Sequence, residues 1–177
     1  MRNPSVEEGN WYMSALNEIK VLEAQIKEGL RVLDDIALFY GELKQKELRM
    51  LGESQASAML LADIFISFYT CCETIFVRIS RFFENNLDPS RWHKELLERM
   101  TLTLPDLRPR VLSPRTVDLL DEFLRFRHFK RYYFEFTYDW KRIVYLEDRY
   151  NEILPLLRQD LARFSKALNK IEKSLKG

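Results

Sequence analysis

Apolar residues recur at steps of three and four along almost the whole chain. Leu16, Ile19, Leu22, Ile26, Leu30, Leu33, Ala37, Tyr40 and Leu43 make one stripe, which predicts an amphipathic helix from about Asn10 to Leu51. At ~1.5 Å per residue it would be roughly 60 Å long. Gly52 is the predicted stop, with Glu53 or Ser54 restarting the chain. A second stripe joins Ala58, Leu61, Phe65, Phe68, Cys72, Ile75, Ile79 and Phe82, and Ala62, Tyr69, Phe76 and Phe83 widen it. So broad an apolar surface predicts a central helix, buried over much of its circumference. Asn85-Asn86 and Asp88-Pro89-Ser90 end it. Asp88 or Ser90 then caps a short helix from Arg91 to Met100.

The next segment, TLTLPDLRPRVLSP, holds Pro105, Pro109 and Pro114, which forbid a continuous helix and predict an ordered loop. Ser113-Pro114 supplies an N-cap followed by proline at the first helical position. A fourth helix follows through Val117, Leu120, Phe123, Leu124 and Arg127. From Phe134 the period changes to two (Phe134, Phe136, Tyr138, Trp140), which predicts a short extended link. Asp139 reads as the N-cap of a last helix to about Ser174, with a kink or break expected at Pro155. The fold class expected is all-α, an up-and-down bundle of about five helices with short connections.

Composition sets limits on this picture. A chain of 177 residues, 46% apolar and 31% charged, suits one domain over residues 1–177 with a buried core. Residues 1–9 are expected to be disordered. The N-terminus MRNPSVEEGNW has no apolar run, against a signal peptide. Charges interrupt the longest apolar stretches, as Asp63 does between Met59 and Phe65, so no membrane span is expected. Cys71 and Cys72 are adjacent and poorly placed to bridge each other. They read as small core residues of a cytoplasmic protein. Two histidines out of tandem, without suitable cysteines, make a zinc site improbable. No cofactor is expected.

Net charge is only +1, yet the stretch FLRFRHFKRYYFEFTYDW, from Phe123 to Trp140, sets cations among rings. Between Arg108 and Arg142 nine Arg or Lys face five Asp or Glu. Arginine interleaved with aromatic residues suits RNA, with guanidinium groups on phosphates and rings on unstacked bases. On a helix Arg127 and Arg131 share one face, with His128 and Tyr132 beside them. Two arginines next to an imidazole can hold a phosphate and move protons near neutral pH. The same residues can equally be structural, with Arg127 and Arg131 paired to Glu73, Asp63 or Asp121 and His128 a satisfied core residue. Glu73, on the buried stripe, reads as an ion-pair or hydrogen-bond partner for an arginine. His93, on its short helix, reads as a surface residue.

FRHFKRYYFEFTYDW resembles the signature of HepT-like proteins in the HEPN superfamily, helical nucleases often found as toxins. FYTCCETIFVRI, WHKELLERM and LPDLRPRVLSP resemble the family's second helix, third helix and proline-containing loop. The resemblance implies a homodimer that cleaves RNA without metal and pairs with a nucleotidyltransferase-type antitoxin. It puts the motif arginine at Arg127, the motif histidine at Tyr132 and the following motif tyrosine at Phe134. A phenol with a pKa of about 10 is a poor general base, and Phe134 has no hydroxyl to be modified, though Tyr132 or Tyr133 offers one. The implied catalytic set is Arg127 with His128 or Tyr132. Arg125, Lys130, Arg131 and Tyr133 are the implied RNA-binding residues. His128 is either an alternative acid/base or a support for the motif. The other function compatible with the departed motif is a catalytically silent RNA- or protein-binding module, and the plainest is a helical scaffold.

Overall fold

The computed structural model describes residues 4–84, 92–132 and 137–176, with side chains described from residue 13 onward except at 92, 132 and 176. Six helices follow one another: α1 (Pro4–Gln45), α2 (Glu47–Leu51), α3 (Gln55–Phe83), α4 (Trp92–Thr101), α5 (Pro114–Tyr132) and α6 (Trp140–Lys176). Five form an all-α bundle, and α2 is a short appendix between α1 and α3. The hub is α3, which packs against α1, α4, α5 and α6.

The apolar stripes account for this arrangement. Ile19, Leu22, Ile26, Leu33, Tyr40 and Leu43 of α1 are buried, one every three or four residues. On α3 the buried set widens to include Leu61, Phe65, Phe68, Tyr69, Cys72, Phe76 and Ile79. Neither cysteine is bridged. Phe65 and Phe68 meet Phe123 of α5 and Tyr150 of α6 with ring centroids 5.1–5.9 Å apart. Tilted and edge-on pairs of this kind add about 0.5–1.5 kcal/mol each beyond their buried area. Gly29 lets α1 close onto α3: a Cβ there would lie 2.5 Å from Cγ1 of Ile75.

The predicted caps are in place. Gly52 sits at φ +59° and donates its N–H to Leu48 O. The Ser54 hydroxyl accepts from Ser57 N at 3.2 Å. Ser113 precedes Pro114, and its carbonyl accepts from Val117 N at 3.2 Å. Asp139 Oδ1 accepts from Lys141 N at 3.0 Å. Asp160 of α6 reaches back to the start of α5, accepting from Ser113 N at 2.8 Å and Thr116 Oγ1 at 2.6 Å. The residues predicted to end α3 and cap α4, Asn85 to Arg91, lie outside the described ones.

Other expectations need correction. The first helix is shorter at its C-terminal end: it stops at Gln45, and Glu47–Leu51 is a separate element. At its other end the helix begins at Pro4, where proline at the first helical position gives up only an N–H that has no intrahelical partner. Helix α6 runs through Pro155 without a break. Pro155 lies on the exposed face, where the carbonyl it leaves unpaired can meet water, and buried Ile153 and Leu157 hold the helix on either side. Finally, α3 is long and apolar enough to cross a membrane, with mean hydropathy 1.7 over its best 18-residue window. Asp63 does not prevent that composition. More than half of the window is buried inside the bundle, so its apolarity belongs to a core helix.

The proline-containing loop after α4 is ordered by Arg108. A bridge pairs Leu104 with Arg108 around Asp106 at φ +60°. The Arg108 side chain is fully buried against Glu84, the residue that caps α3, donating from Nε at 3.0 Å and also from Nη2. Its other N–H groups go to the carbonyls of Leu102, Pro109 and Arg99.

Candidate functional site

The basic stretch of α5 presents its residues in different directions, and each meets a different neighbour. Arg125 is exposed and pairs with Asp121 one turn earlier at 2.5 Å. Lys130 lies 3.9 Å from Asp63 and 6.0 Å from the Tyr138 ring centroid. Arg131 is exposed. The side chain of Tyr132, and all of Tyr133 and Phe134, lie outside the described residues.

Arg127 turns toward α3. Its Nη1 donates to both oxygens of Glu73, at 2.9 and 2.8 Å, and its guanidinium carbon lies 5.8 Å from the Tyr69 ring centroid. Tyr69 and Glu73 are one turn apart on α3, so a ring and a carboxylate grip one cation. Burial, with Glu73 nearby, pushes the Tyr69 phenol up. Glu73 is buried, with 7% of its side chain exposed, whereas Arg127 keeps 23%. Among the described residues every hydrogen bond of Arg127 runs through Nη1. Nε and Nη2 have no hydrogen-bond partner among the described residues. The guanidinium is anchored to its own bundle at one nitrogen without being sealed into it.

His93 is the residue that sequence reading misplaced. Its Nδ1 lies 2.5 Å from Glu73 Oε1, and 19% of its side chain is exposed. It is a member of the Glu73 cluster, not a bystander on a surface helix. Its position follows from spacing: His93, Leu96, Leu97 and Met100 fall on one face of α4, and the three apolar residues are buried against the bundle. The inward face of α4 thus begins with an imidazole. A carboxylate only accepts, so Nδ1 carries the proton in this contact and Nε2 is the basic nitrogen of the neutral ring.

His128 completes the group. Its ring meets that of His93 edge-on, with centroids 5.6 Å apart. It is exposed, so it is not the core residue that one sequence reading allowed. Partial burial, then the charges of His93, Arg127 and Arg131, lower its pKa against an opposing pull from Glu73. Near neutral pH this ring is a proton acceptor.

The local excess of cations is mostly spent on partners outside the window in which it was counted. Arg108 goes to Glu84, Arg115 to Glu152, Arg127 to Glu73 and Lys130 to Asp63. Arg142 stacks on Phe129, 4.6 Å from its centroid. What distinguishes the site is a small group of unlike functions, not a broad positive field. From α3 come Tyr69 and Glu73, from α4 His93, and from α5 Arg127 and His128. Such a group can bind one phosphate-sized anion and exchange protons beside it. Among the described residues no cluster of His, Cys, Asp and Glu suits a metal ion.

A family model described as HepT-like protein matches residues 60–168. The chain belongs to the HepT-like family. No curated protein and no solved structure matches it. The HepT-like match runs from early in α3 to late in α6 and so includes Glu73, His93, Arg127 and His128, while α1 lies outside it.

Proposed function

We propose that this HepT-like protein is a ribonuclease of the toxin type, cleaving RNA without a metal ion and controlled by a nucleotidyltransferase-type antitoxin. The observation that carries the reading is the half-engaged guanidinium of Arg127: one nitrogen on buried Glu73, the rest at the surface beside two imidazoles. In this reading Nε and Nη2 of Arg127 hold the phosphate to be cleaved and steady charge on its oxygens. Arg131 assists from the next turn, and Arg125 and Lys130 follow the backbone of the RNA. His128 or Tyr132 moves the proton. Positions five apart on a straight helix differ by about 140°, so residues 127 and 132 of one copy do not face one phosphate. A homodimer with the two α5 helices across a cleft removes that conflict. The setting is cytoplasmic.

The test is an RNA cleavage assay in excess EDTA. Wild type is expected to cut RNA and Arg127→Ala to lose the activity. Equal rates in the two proteins sink the reading.

Two features favour a second reading. Glu73 neutralises much of the charge of Arg127, and Tyr132 stands where the motif histidine is expected. A catalytically silent RNA- or protein-binding module fits both facts. It predicts RNA retention that weakens with salt, no cleavage, and nuclease activity gained in Tyr132→His.

A further inference from the structure

The Glu73 cluster contains an imidazole for which neither the motif nor the net charge of the stretch gives a use. We infer that His93 is a catalytic proton-transfer residue of this site, supplying from α4 the imidazole that position 132 lacks and working with His128 across the edge-on ring contact. The inference rests on the ribonuclease reading and adds the residue that makes it chemically complete.

The geometry supports it in three ways. First, His93 is held: Glu73 fixes Nδ1 as a donor at 2.5 Å, which orients the ring and selects Nε2 as the nitrogen that exchanges protons. Second, the same carboxylate holds Arg127 at 2.8 Å, so the phosphate-binding group and the imidazole share one anchor and cannot drift apart independently. Third, the His93 and His128 centroids lie 5.6 Å apart, close enough for both rings to serve one phosphodiester. Among the described residues, the charged groups shown to act on the pair are Glu73 from α3 and Arg127 and Arg131 from α5.

Two such rings match what the reaction requires. The ribose 2′-oxygen attacks the adjacent phosphorus, a P–O2′ bond forms, and the P–O5′ bond breaks. One ring takes the 2′-hydroxyl proton and the other gives a proton to the departing 5′-oxygen. The products are a 2′,3′-cyclic phosphate end and a 5′-hydroxyl end. The two rings have exchanged protonation states, which solvent resets. His128, kept neutral by burial and by the cations around it, is the acceptor. His93 is then the donor, through Nε2.

The experiment measures EDTA-resistant cleavage of a short RNA from about pH 5 to 9 by wild type, His93→Asn, His93→Ala and Arg127→Lys. Asparagine keeps an N–H for Glu73, so the anchor and the fold survive, as a thermal melt verifies. His93→Asn is expected to slow cleavage about 100-fold and to erase the alkaline fall of the profile. Added imidazole is expected to restore part of the rate in His93→Ala. Near-wild-type rates in His93→Asn, or a slower rate with an unchanged pH profile, overturn the catalytic role of His93. If Arg127→Lys is inactive in the same experiment, the ribonuclease reading stands without it. Absence of cleavage by wild type, or equal cleavage by Arg127→Lys, overturns both.

Discussion

Helix α3 carries two carboxylates that each hold an arginine from later in the chain, and the two pairs differ in what is left over. At the end of α3, Glu84 meets Arg108, whose side chain is 0% exposed and whose donors at Nε, Nη1 and Nη2 all have protein acceptors. Arg99 adds a second cation to Glu84 at 3.0 Å. In the middle of α3, Glu73 meets Arg127 through one nitrogen only, with His93 on the same carboxylate. A saturated guanidinium has nothing to offer a ligand and serves to tie the loop over residues 102–113 to the bundle. An unsaturated, partly exposed one, held by a buried carboxylate, keeps the donors that the proposed function assigns to a phosphate. Ion pairing alone does not separate structure from site; donor saturation does.

Arg108→Met is the strongest way to break the structural pair. It leaves Glu84 buried with Arg99 and removes the guanidinium donors to the carbonyls of Leu102, Pro109 and Arg99, so unfolding stability should fall by about 3–5 kcal/mol, measured by urea denaturation. Arg127→Lys separates the two roles at the other pair. Lysine keeps a charge for Glu73 but lacks the planar fork, so cleavage should fall about 100- to 1000-fold. In the same protein, stability should change by only ~1 kcal/mol. Glu73→Gln keeps the shape and removes the charge that organises Arg127 and His93. We expect a stability loss of about 1.5–3 kcal/mol together with slower cleavage, read in melts and rate assays on one preparation.

The smallest expected effect is on pH. The folded protein holds the His128 pKa below its ordinary value of 6.5, so between the two values the unfolded chain binds more protons. Its contribution therefore carries no penalty above about pH 6.5 and destabilises the fold as pH falls below it. Because His128 is exposed, solvent screens much of this. Melts from pH 8 down to 5 should show a shallow loss that His128→Gln reduces.

The helices were legible because burial leaves a periodic trace. The α3 stripe, the Ser54, Ser113 and Asp139 caps and the Gly52 stop all follow from local rules, and the all-helical bundle with them. The site was legible in part. Spacing and resemblance singled out Arg127 and His128, and Glu73 was recognised as a partner for an arginine. His93 was missed because the reading went by residue type, whereas its spacing to Leu96, Leu97 and Met100 marks an inward face. The cation excess was overread because Glu73, Glu84 and Glu152 lie outside the window and are brought in only by folding. At Pro155 only the break that was allowed for is absent, because its face is solvated and its neighbours are packed.

The central claim is that donors of Arg127 not used by Glu73 bind the phosphate that is cut. Its most direct test is the EDTA-resistant RNA cleavage rate of Arg127→Lys relative to wild type, taken at a temperature where melts show both fully folded. The account predicts a drop of about two to three orders of magnitude. A ratio near one, with wild type active, contradicts it.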